Sequence, residues 1–115
     1  MITLGQKQRK FTRLIGELIR YAYEQGYELS FGDAYRSPEQ AQFNAQKGTG
    51  VANSLHTQRL AIDLNLFIGG QYQAESEAHR PLGEYWKTLD PDCCWGGDFS
   101  KPDGNHYSLT HNGIK

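Results

Sequence analysis

The chain has 115 residues, with 12 Lys and Arg against 13 Asp and Glu, so its formal net charge is −1. This length suits one domain over residues 1–115, and the near-neutral charge argues against a protein that binds nucleic acid as its main task. No apolar run approaches the ~18–20 residues of a membrane span, so no membrane insertion is expected. The basic N-terminus has no apolar stretch behind it, which predicts synthesis in the cytoplasm without a signal peptide.

The first predicted element is an amphipathic helix within the first 25 residues. From Phe11 to Tyr23 apolar residues recur at the i, i+3, i+4 spacing of one helical face, and Gly26 follows as a stop signal. This spacing predicts a helix that packs its apolar face on the core.

A strand and a capped helix are predicted next. Residues 27–35 alternate large apolar and polar side chains, which is typical of a strand. Ser37 is a suitable N-cap and Pro38 suits the first helical position, so a short helix is predicted to follow to about Gln46. A loop is expected at residues 47–50.

The most strand-like segment is residues 59–67, which alternate with period two. One face of this alternation is purely aliphatic: Leu60, Ile62, Leu64 and Leu66. A Gly-Gly turn then predicts a return strand at 71–73, apolar spacing predicts a helix within 77–89, and residues 95–99 are expected to form a glycine-rich turn. With a last strand within 105–109, the order of elements predicts an α+β domain with a small antiparallel sheet.

Two acid–histidine pairs could support metal chemistry. Asp63 stands out because acidic residues are disfavoured in strands, and His56 precedes it by seven residues. Asp103 precedes His106 by three residues in a loop before the last strand. Together His56, Asp63 and His106 supply two imidazoles and one carboxylate, a three-ligand set for one catalytic zinc ion. Asp103 would stand beside that ion without ligating it, as a base.

The remaining residues that could bind a metal are predicted not to do so. His79 falls at a predicted helix start and His111 lies near the C-terminus, and a surface or core histidine is the commoner case. Cys93 and Cys94 are adjacent, which places their α carbons too close for an ordinary disulfide, so free thiols are expected.

Four segments resemble the zinc peptidases of peptidoglycan, a family that includes D-Ala-D-Ala carboxypeptidases and phage L-alanyl-D-glutamate endopeptidases. The segment from Ser54 to Asp63 resembles the S-x-H-x-x-x-x-A-x-D motif, and Asp103-x-x-His106 resembles the second motif. The other two are similar to the family's R-S-x-x-Q and W-G-G-x-[FW] segments: Arg36 to Gln40 and Trp95 to Phe99. All four occur in the family's order.

The resemblance implies the fold of the D-Ala-D-Ala peptidases and the Hedgehog signalling domain, a small antiparallel sheet flanked by helices. It implies zinc on the three ligands named above and Asp103 as the general base. Arg36 is implied to reach the cleft, where it would bind substrate or stabilise the oxyanion. Ser54 would hydrogen-bond the substrate.

Arg59 and Trp95 are two further candidates for contact with substrate. Many members of the family have Gly where this chain has Arg59. The predicted strand places Arg59 on the face of Asp63, where it would either border the substrate groove or disturb it. For Trp95, packing in the core and lining the cleft both stay open.

The base at position 103 is an Asp rather than the Glu of the D-Ala-D-Ala dipeptidases, which resembles the phage endopeptidases. The leading hypothesis is therefore a monomeric L-Ala-D-Glu endopeptidase of a phage or prophage endolysin that cuts peptidoglycan stem peptides. It would reach the wall by a holin-like route and have no separate wall-binding domain. The alternatives are a D-Ala-D-Ala carboxypeptidase and a non-catalytic, zinc-containing wall-binding module.

Overall fold

The computed structural model describes residues 2–48 and 54–115 of the chain. The described elements are α1 (Leu4–Glu24), β1 (Tyr27–Phe31), α2 (Pro38–Gln46), a 3-10 helix (Leu55–Gln58), β2 (Ala61–Ile68), β3 (Gln71–Tyr72), a second 3-10 helix (Ser76–His79), α3 (Arg80–Leu89), β4 (Cys93–Trp95), a third 3-10 helix (Gly96–Asp98) and β5 (His106–Leu109). Within these ranges, the helices are all too short or too polar to cross a bilayer.

The five strands form one antiparallel sheet in which β2 is central. β1 pairs with one edge of β2 over residues 64–68. β5 and β3 pair with the other edge, and β4 extends the sheet beyond β5. β1 and β3 therefore lie on opposite edges of the central strand β2.

The core lies between the sheet and the helices α1 and α3. The aliphatic face of β2 contributes Leu64 and Leu66, and α1 contributes Leu18, all fully buried. Trp86 of α3 is also fully buried, and its indole N–H donates to backbone carbonyls of both β4 and β5. Because the apolar face of each element points inward, the opposite face of β2 is left for polar side chains.

The α+β class and the antiparallel sheet are confirmed. Helix α1 buries the predicted face, with Tyr23 at its end exposed. Ser37 caps α2 by accepting a hydrogen bond from the Gln40 amide. Of the loop expected at 47–50, its last two residues lie outside the described residues.

Three element boundaries differ from the predictions. β1 ends at Phe31 rather than at residue 35, and β2 begins at Ala61 rather than at Arg59. The helix predicted over 77–89 is a 3-10 turn followed by α3. Strand β4 was not predicted, because two cysteines and one tryptophan are too short a run to show an alternation.

Candidate metal centre and active site

Three side chains from three parts of the chain meet on the polar face of β2. Asp63 of β2 and His106 of β5 are directly paired across the sheet, and His56 comes from the 3-10 helix that precedes β2. The Asp63 Oδ1 atom lies 3.3 Å from His56 Nε2 and 3.7 Å from His106 Nδ1. One potential ligand atom from each residue lies within 4.8 Å of the others. We call His56, Asp63 and His106 the metal triad.

The chemistry of the triad fits a zinc ion. Asp63 Oδ1 is buried and has no hydrogen-bond partner among the described residues, and the ring nitrogens nearest to it are His56 Nε2 and His106 Nδ1. An unpartnered buried carboxylate oxygen is costly and rare, so its place beside two imidazoles indicates a function other than folding stability. Two imidazoles and a carboxylate form a donor set typical of catalytic zinc.

The carboxyl group of Asp63 is held in its charged form. Burial raises its pKa, but the neighbouring imidazoles of His106 and His56 outweigh that effect and bring the pKa to about 2. Asp63 is therefore an anionic ligand at every pH at which the two histidines are neutral and free to bind metal.

The local backbone fixes the position of His56. The Ser54 hydroxyl caps the 3-10 helix by accepting a hydrogen bond from the His56 amide at 3.2 Å. The Ser54 carbonyl accepts from the Thr57 hydroxyl, and the His56 carbonyl accepts from the Arg36 amide. Ser54 is buried, and these contacts position a ligand; the substrate contact expected for it stays a prediction.

Asp103 lies beside the triad without belonging to it. Partial burial and the negative charge of Asp63 raise the pKa of the Asp103 carboxyl, while the two triad histidines and Arg36 act in the opposite direction. Its amide donates to the Gly96 carbonyl, and its carbonyl accepts from the His106 amide. The predicted base, Asp103, and the predicted ligand, His106, are thus tied together by one turn of backbone.

Gly96 is required by this turn. A β carbon at position 96 would lie 2.1 Å from the Asp103 carbonyl oxygen and 2.7 Å from the His106 β carbon. Only glycine allows the backbone of the Trp-Gly-Gly segment to approach the Asp103–His106 loop so closely. This approach explains the glycine at position 96, directly after Trp95.

Trp95 packs in the core and does not line the cleft. Its side chain is 1% exposed, and β carbons at Gly83 or Gly97 would lie within 2.2 Å of its ring. Its indole N–H donates to the Gly104 carbonyl at 2.7 Å. Because the ring has no free surface, the prediction that Trp95 contacts substrate is corrected: it supports the loop that carries Asp103.

Arg36 lies close enough to the site for its charge to act on Asp103. Its side chain is 16% exposed, and its guanidinium donates to the Asp33 carboxylate at 2.9 Å. Asp33 was not singled out in the sequence, since a lone acid at the end of a predicted strand carries no signal. The Asp33 carboxylate partly neutralises the charge of Arg36.

Arg59 differs most from its prediction. Its backbone is in the left-handed region, with φ of 57°, at the C-terminal cap of the 3-10 helix. Its guanidinium stacks over the Tyr35 ring at 4.0 Å, and both residues line a cavity of about 410 Å³ against α1. Arg59 therefore does not share the face of Asp63. The left-handed conformation also explains why glycine suits this position.

The other candidate metal ligands lie outside the triad. His79 is buried with its Nδ1 atom 2.9 Å from the Tyr107 hydroxyl, and His111 forms a bridge with Ile114 near the C-terminus. Cys93 and Cys94 are free thiols, and burial raises the pKa of Cys93 to about 12.

A small polar cavity adjoins Asp103 on the β3 side of the sheet. We call this cavity of about 270 Å³ the polar cleft; its lining residues are Tyr72, Gln73, Ala74, Ser76, His79, Pro102, Asp103, Gly104 and Asn105. The Ser76 hydroxyl accepts a hydrogen bond from the Gly104 amide, which joins one wall of the cleft to the loop that carries Asp103. No motif predicted this cleft, because its walls come from segments far apart in sequence.

A family model described as D-alanyl-D-alanine carboxypeptidase matches residues 47–109, more than half of the chain. A search among curated proteins finds no match.

Two solved structures are similar in fold. One is the L-Ala D-Glu endopeptidase ChiX of Serratia marcescens, with a TM-score of 0.68 and 20% identity, covering 92% of this chain and 85% of ChiX. Another is a variant of the D,D-pentapeptidase VanY from a VanB-type vancomycin resistance cassette in complex with Zn(II). It has a TM-score of 0.57 and 19% identity, covering 87% of this chain and 70% of VanY.

Proposed function

The chain belongs to the D-alanyl-D-alanine carboxypeptidase family of zinc metallopeptidases that act on peptidoglycan, and we propose that it is an endopeptidase for the L-Ala–D-Glu bond of the stem peptide. The residues that would hold one zinc ion are the metal triad of His56, Asp63 and His106. Zinc in such a site supplies Lewis-acid polarisation of the scissile carbonyl and of water.

Asp103 is the proton carrier of the proposed reaction. Its carboxylate accepts a proton as water attacks the scissile carbonyl carbon, and it gives that proton to the amine nitrogen as the carbon–nitrogen bond breaks. The raised pKa of Asp103 suits this double role, because the group must both take and release a proton near neutral pH.

Arg36 supports the transition state in this proposal. Its guanidinium can donate hydrogen bonds to the carbonyl oxygen as negative charge develops there. The Asp33 carboxylate, 2.9 Å from Arg36 Nη2, holds the guanidinium in place and reduces its net attraction for a free carboxylate. Because its charge is partly neutralised, Arg36 is poorly suited to bind a substrate carboxylate. It is better suited to an oxygen that becomes charged only in the transition state.

The polar cleft is the observation that carries the choice of an endopeptidase. An endopeptidase must accommodate substrate on both sides of the scissile bond, whereas a carboxypeptidase ends at the terminal residue. The cleft continues from Asp103 toward β3, on the edge of β2 opposite to β1 and Arg36. The cleft therefore offers room for substrate beyond the base, on the β3 side of the sheet. The likeness to ChiX and the Asp at position 103 support the same choice.

A D-Ala-D-Ala carboxypeptidase is the second candidate, favoured by the description of the matching family. Such an enzyme must neutralise the terminal carboxylate, typically through a bidentate Arg. Arg36 is the candidate for that role in this chain, but its guanidinium already pairs with the Asp33 carboxylate.

We further propose that the protein acts as a monomer on the cell wall, in the manner of a phage endolysin released by a holin-like route. Its resemblance to phage endopeptidases through Asp103 supports this setting. Analytical ultracentrifugation of the purified protein tests the monomer, and lysis from outside and from inside host cells tests the route.

Mass spectrometry of digested peptidoglycan tests the scissile bond. We expect new N-terminal D-Glu and no free D-Ala from intact wall. A short stem peptide that ends in D-Ala-D-Ala should release no D-Ala. Rapid release of D-Ala, lost in Arg36→Ala, would replace the endopeptidase by the carboxypeptidase. A folded, zinc-loaded protein that releases neither product would indicate a non-catalytic wall-binding module.

A further inference from the structure

The polar cleft has a chemistry distinct from that of the Arg36 side. Its described lining contains no Lys or Arg, and Asp103 is its one charged residue. The other groups are hydroxyls, amides and an imidazole, from Ser76, Asn105 and His79 among others. Neutral donors and acceptors around a single carboxylate disfavour an anionic ligand and favour one rich in hydroxyl and amide groups.

His79 is a neutral group in this cleft. Burial lowers its pKa to about 4, so the ring is uncharged at neutral pH. Its Nδ1 atom is 2.9 Å from the hydroxyl of Tyr107, which is itself fully buried. If the tyrosine hydroxyl donates, the proton of the neutral imidazole is on Nε2, which makes His79 a hydrogen-bond donor without charge.

Tyr72 provides an aromatic surface at the mouth of the cleft. Its side chain is 58% exposed, and its ring is held in edge contact with Phe67, with centroids 5.7 Å apart. The two residues are directly paired between β3 and β2, so the position of the ring is set by the hairpin. A fixed aromatic face beside amide and hydroxyl groups is suited to a ligand with an apolar face and polar edges, such as a sugar ring.

The proposed function explains why a sugar would lie there. In peptidoglycan the L-Ala residue is joined directly to the lactyl group of N-acetylmuramic acid. One residue therefore separates the sugar from the L-Ala–D-Glu bond, and the carboxylates of the stem lie on the other side of that bond. The cleft beside Asp103 has neutral walls, and Arg36 follows residues 32–33, which continue β1 along the opposite edge of β2.

We propose that the polar cleft is a saccharide subsite that binds the N-acetylmuramyl group of the substrate, with Tyr72 as the stacking surface and Ser76, His79 and Asn105 along its walls. This inference rests on the proposed cleavage of the L-Ala–D-Glu bond. It assigns the substrate a direction, with the sugar toward β3 and the acidic stem toward Arg36. The cavity of about 270 Å³ is of the size of one substituted sugar ring.

Kinetics on two matched substrates test the subsite. One is N-acetylmuramyl-L-Ala-D-Glu-Lys, and the other is the same peptide with an acetyl group in place of the sugar. We expect Tyr72→Ala to raise KM for the muramyl substrate about tenfold, with kcat unchanged and with little effect on the acetyl peptide. Tyr72→Phe should behave as the parent protein, because the ring is retained.

Tyr23→Ala is the matched control, since Tyr23 is 52% exposed and lies at the end of α1, outside the cleft. It should leave KM for both substrates unchanged. An equal rise of KM for both substrates in Tyr72→Ala, or no rise for either, would overturn the saccharide subsite.

A binding measurement separates this inference from the proposed function. Asp103→Asn protein is titrated with N-acetylmuramyl-L-alanine amide, which has the sugar but no L-Ala–D-Glu bond, and amide shifts are followed by NMR. Shifts at Ser76 and Asn105 that vanish in Tyr72→Ala are expected. Such shifts in a protein that cuts a different bond would retain the subsite and reject the cleavage site. Their absence in a protein that does cut L-Ala–D-Glu would reject the subsite alone.

Discussion

Asp103 and the metal triad differ in how the fold holds them, and this difference separates their roles. The triad side chains are buried or half-buried and offer ligand atoms within 4.8 Å of one another, whereas Asp103 lies on the loop before β5, where its carbonyl accepts a hydrogen bond from the His106 amide. The negative charge of Asp63 helps to raise the pKa of Asp103, which places two carboxyl groups with opposite pKa shifts side by side. Such a pair is typical of a site in which one carboxylate binds and the other transfers protons.

Replacing Asp103 with Asn should remove the base and leave the metal. We expect kcat to fall by about 10²–10⁴, the usual contribution of a positioned general base, with zinc content and unfolding temperature unchanged. Asp98→Asn is the control, because Asp98 is an exposed acid of the neighbouring turn that pairs with Lys87. Full wall-lytic activity in Asp103→Asn would contradict the assigned base.

His79 should make the fold sensitive to acid. Burial lowers its pKa to about 4, while the unfolded chain protonates histidine near pH 6.5. The stability that comes from a neutral His79 is complete above pH ~6.5. It is lost at about 1.4 kcal/mol per pH unit as the pH falls toward 4.

Urea unfolding of zinc-free protein at pH 7 and pH 5 measures this effect. The parent protein should lose about 2 kcal/mol more than His79→Gln over that interval. The other three histidines are common to both proteins, so their protonation cancels in the difference. Equal losses would mean that His79 is protonated as easily in the fold as in the unfolded chain.

At the scale of elements, the site depends on a tight turn after β4. Gly96 lets the third 3-10 helix approach the Asp103–His106 loop, and Trp95 fills the space behind that loop. The clash of an added β carbon at position 96 is with backbone, which cannot rotate away. The base and one ligand therefore move together if this turn is disturbed.

Gly96→Ala should weaken zinc binding and lower activity together, since it displaces both His106 and Asp103. Zinc affinity by competition with a chromophoric chelator, and kcat on purified wall, measure the two effects. Gly16→Ala in the middle of α1 is the control, because a β carbon there meets nothing within 4 Å. That control should retain activity and stabilise the helix by up to about 1 kcal/mol. Unchanged zinc affinity in a folded Gly96→Ala would contradict the proposed coupling.

Elements with a long periodic pattern were predictable, and short ones were not. The 21 residues of α1 and the aliphatic face of β2 repeat often enough to be read from the sequence. The triad was also predictable, because its residues lie in two short motifs and an acid within a strand is unusual. The backbone conformation of Arg59 and the burial of Trp95 depend on tertiary packing, which no local pattern contains.

At the scale of the molecule, the triad joins the centre of the sheet to the segment that precedes it. Asp63 and His106 belong to paired strands. His56 belongs to the 3-10 helix before β2, and its own carbonyl accepts a hydrogen bond from the Arg36 amide. A ligand that binds all three residues only in the folded state stabilises the fold by mass action. At zinc concentrations of 100 times Kd, this stabilisation is about 2.7 kcal/mol.

Zinc should therefore raise the unfolding temperature by several degrees, and chelation should reverse the rise and abolish activity together. The double variant His56→Ala, His106→Ala removes two of three ligands, so its unfolding temperature should not respond to zinc. His111→Ala is the matched histidine control and should respond as the parent protein does, because His111 lies outside the triad. Elemental analysis gives a second reading, with about one zinc per chain in the parent and none in the double variant. Tight zinc that persists in the double variant would place the metal at His79, His111 or the adjacent cysteines, and the assignment of the triad would be wrong.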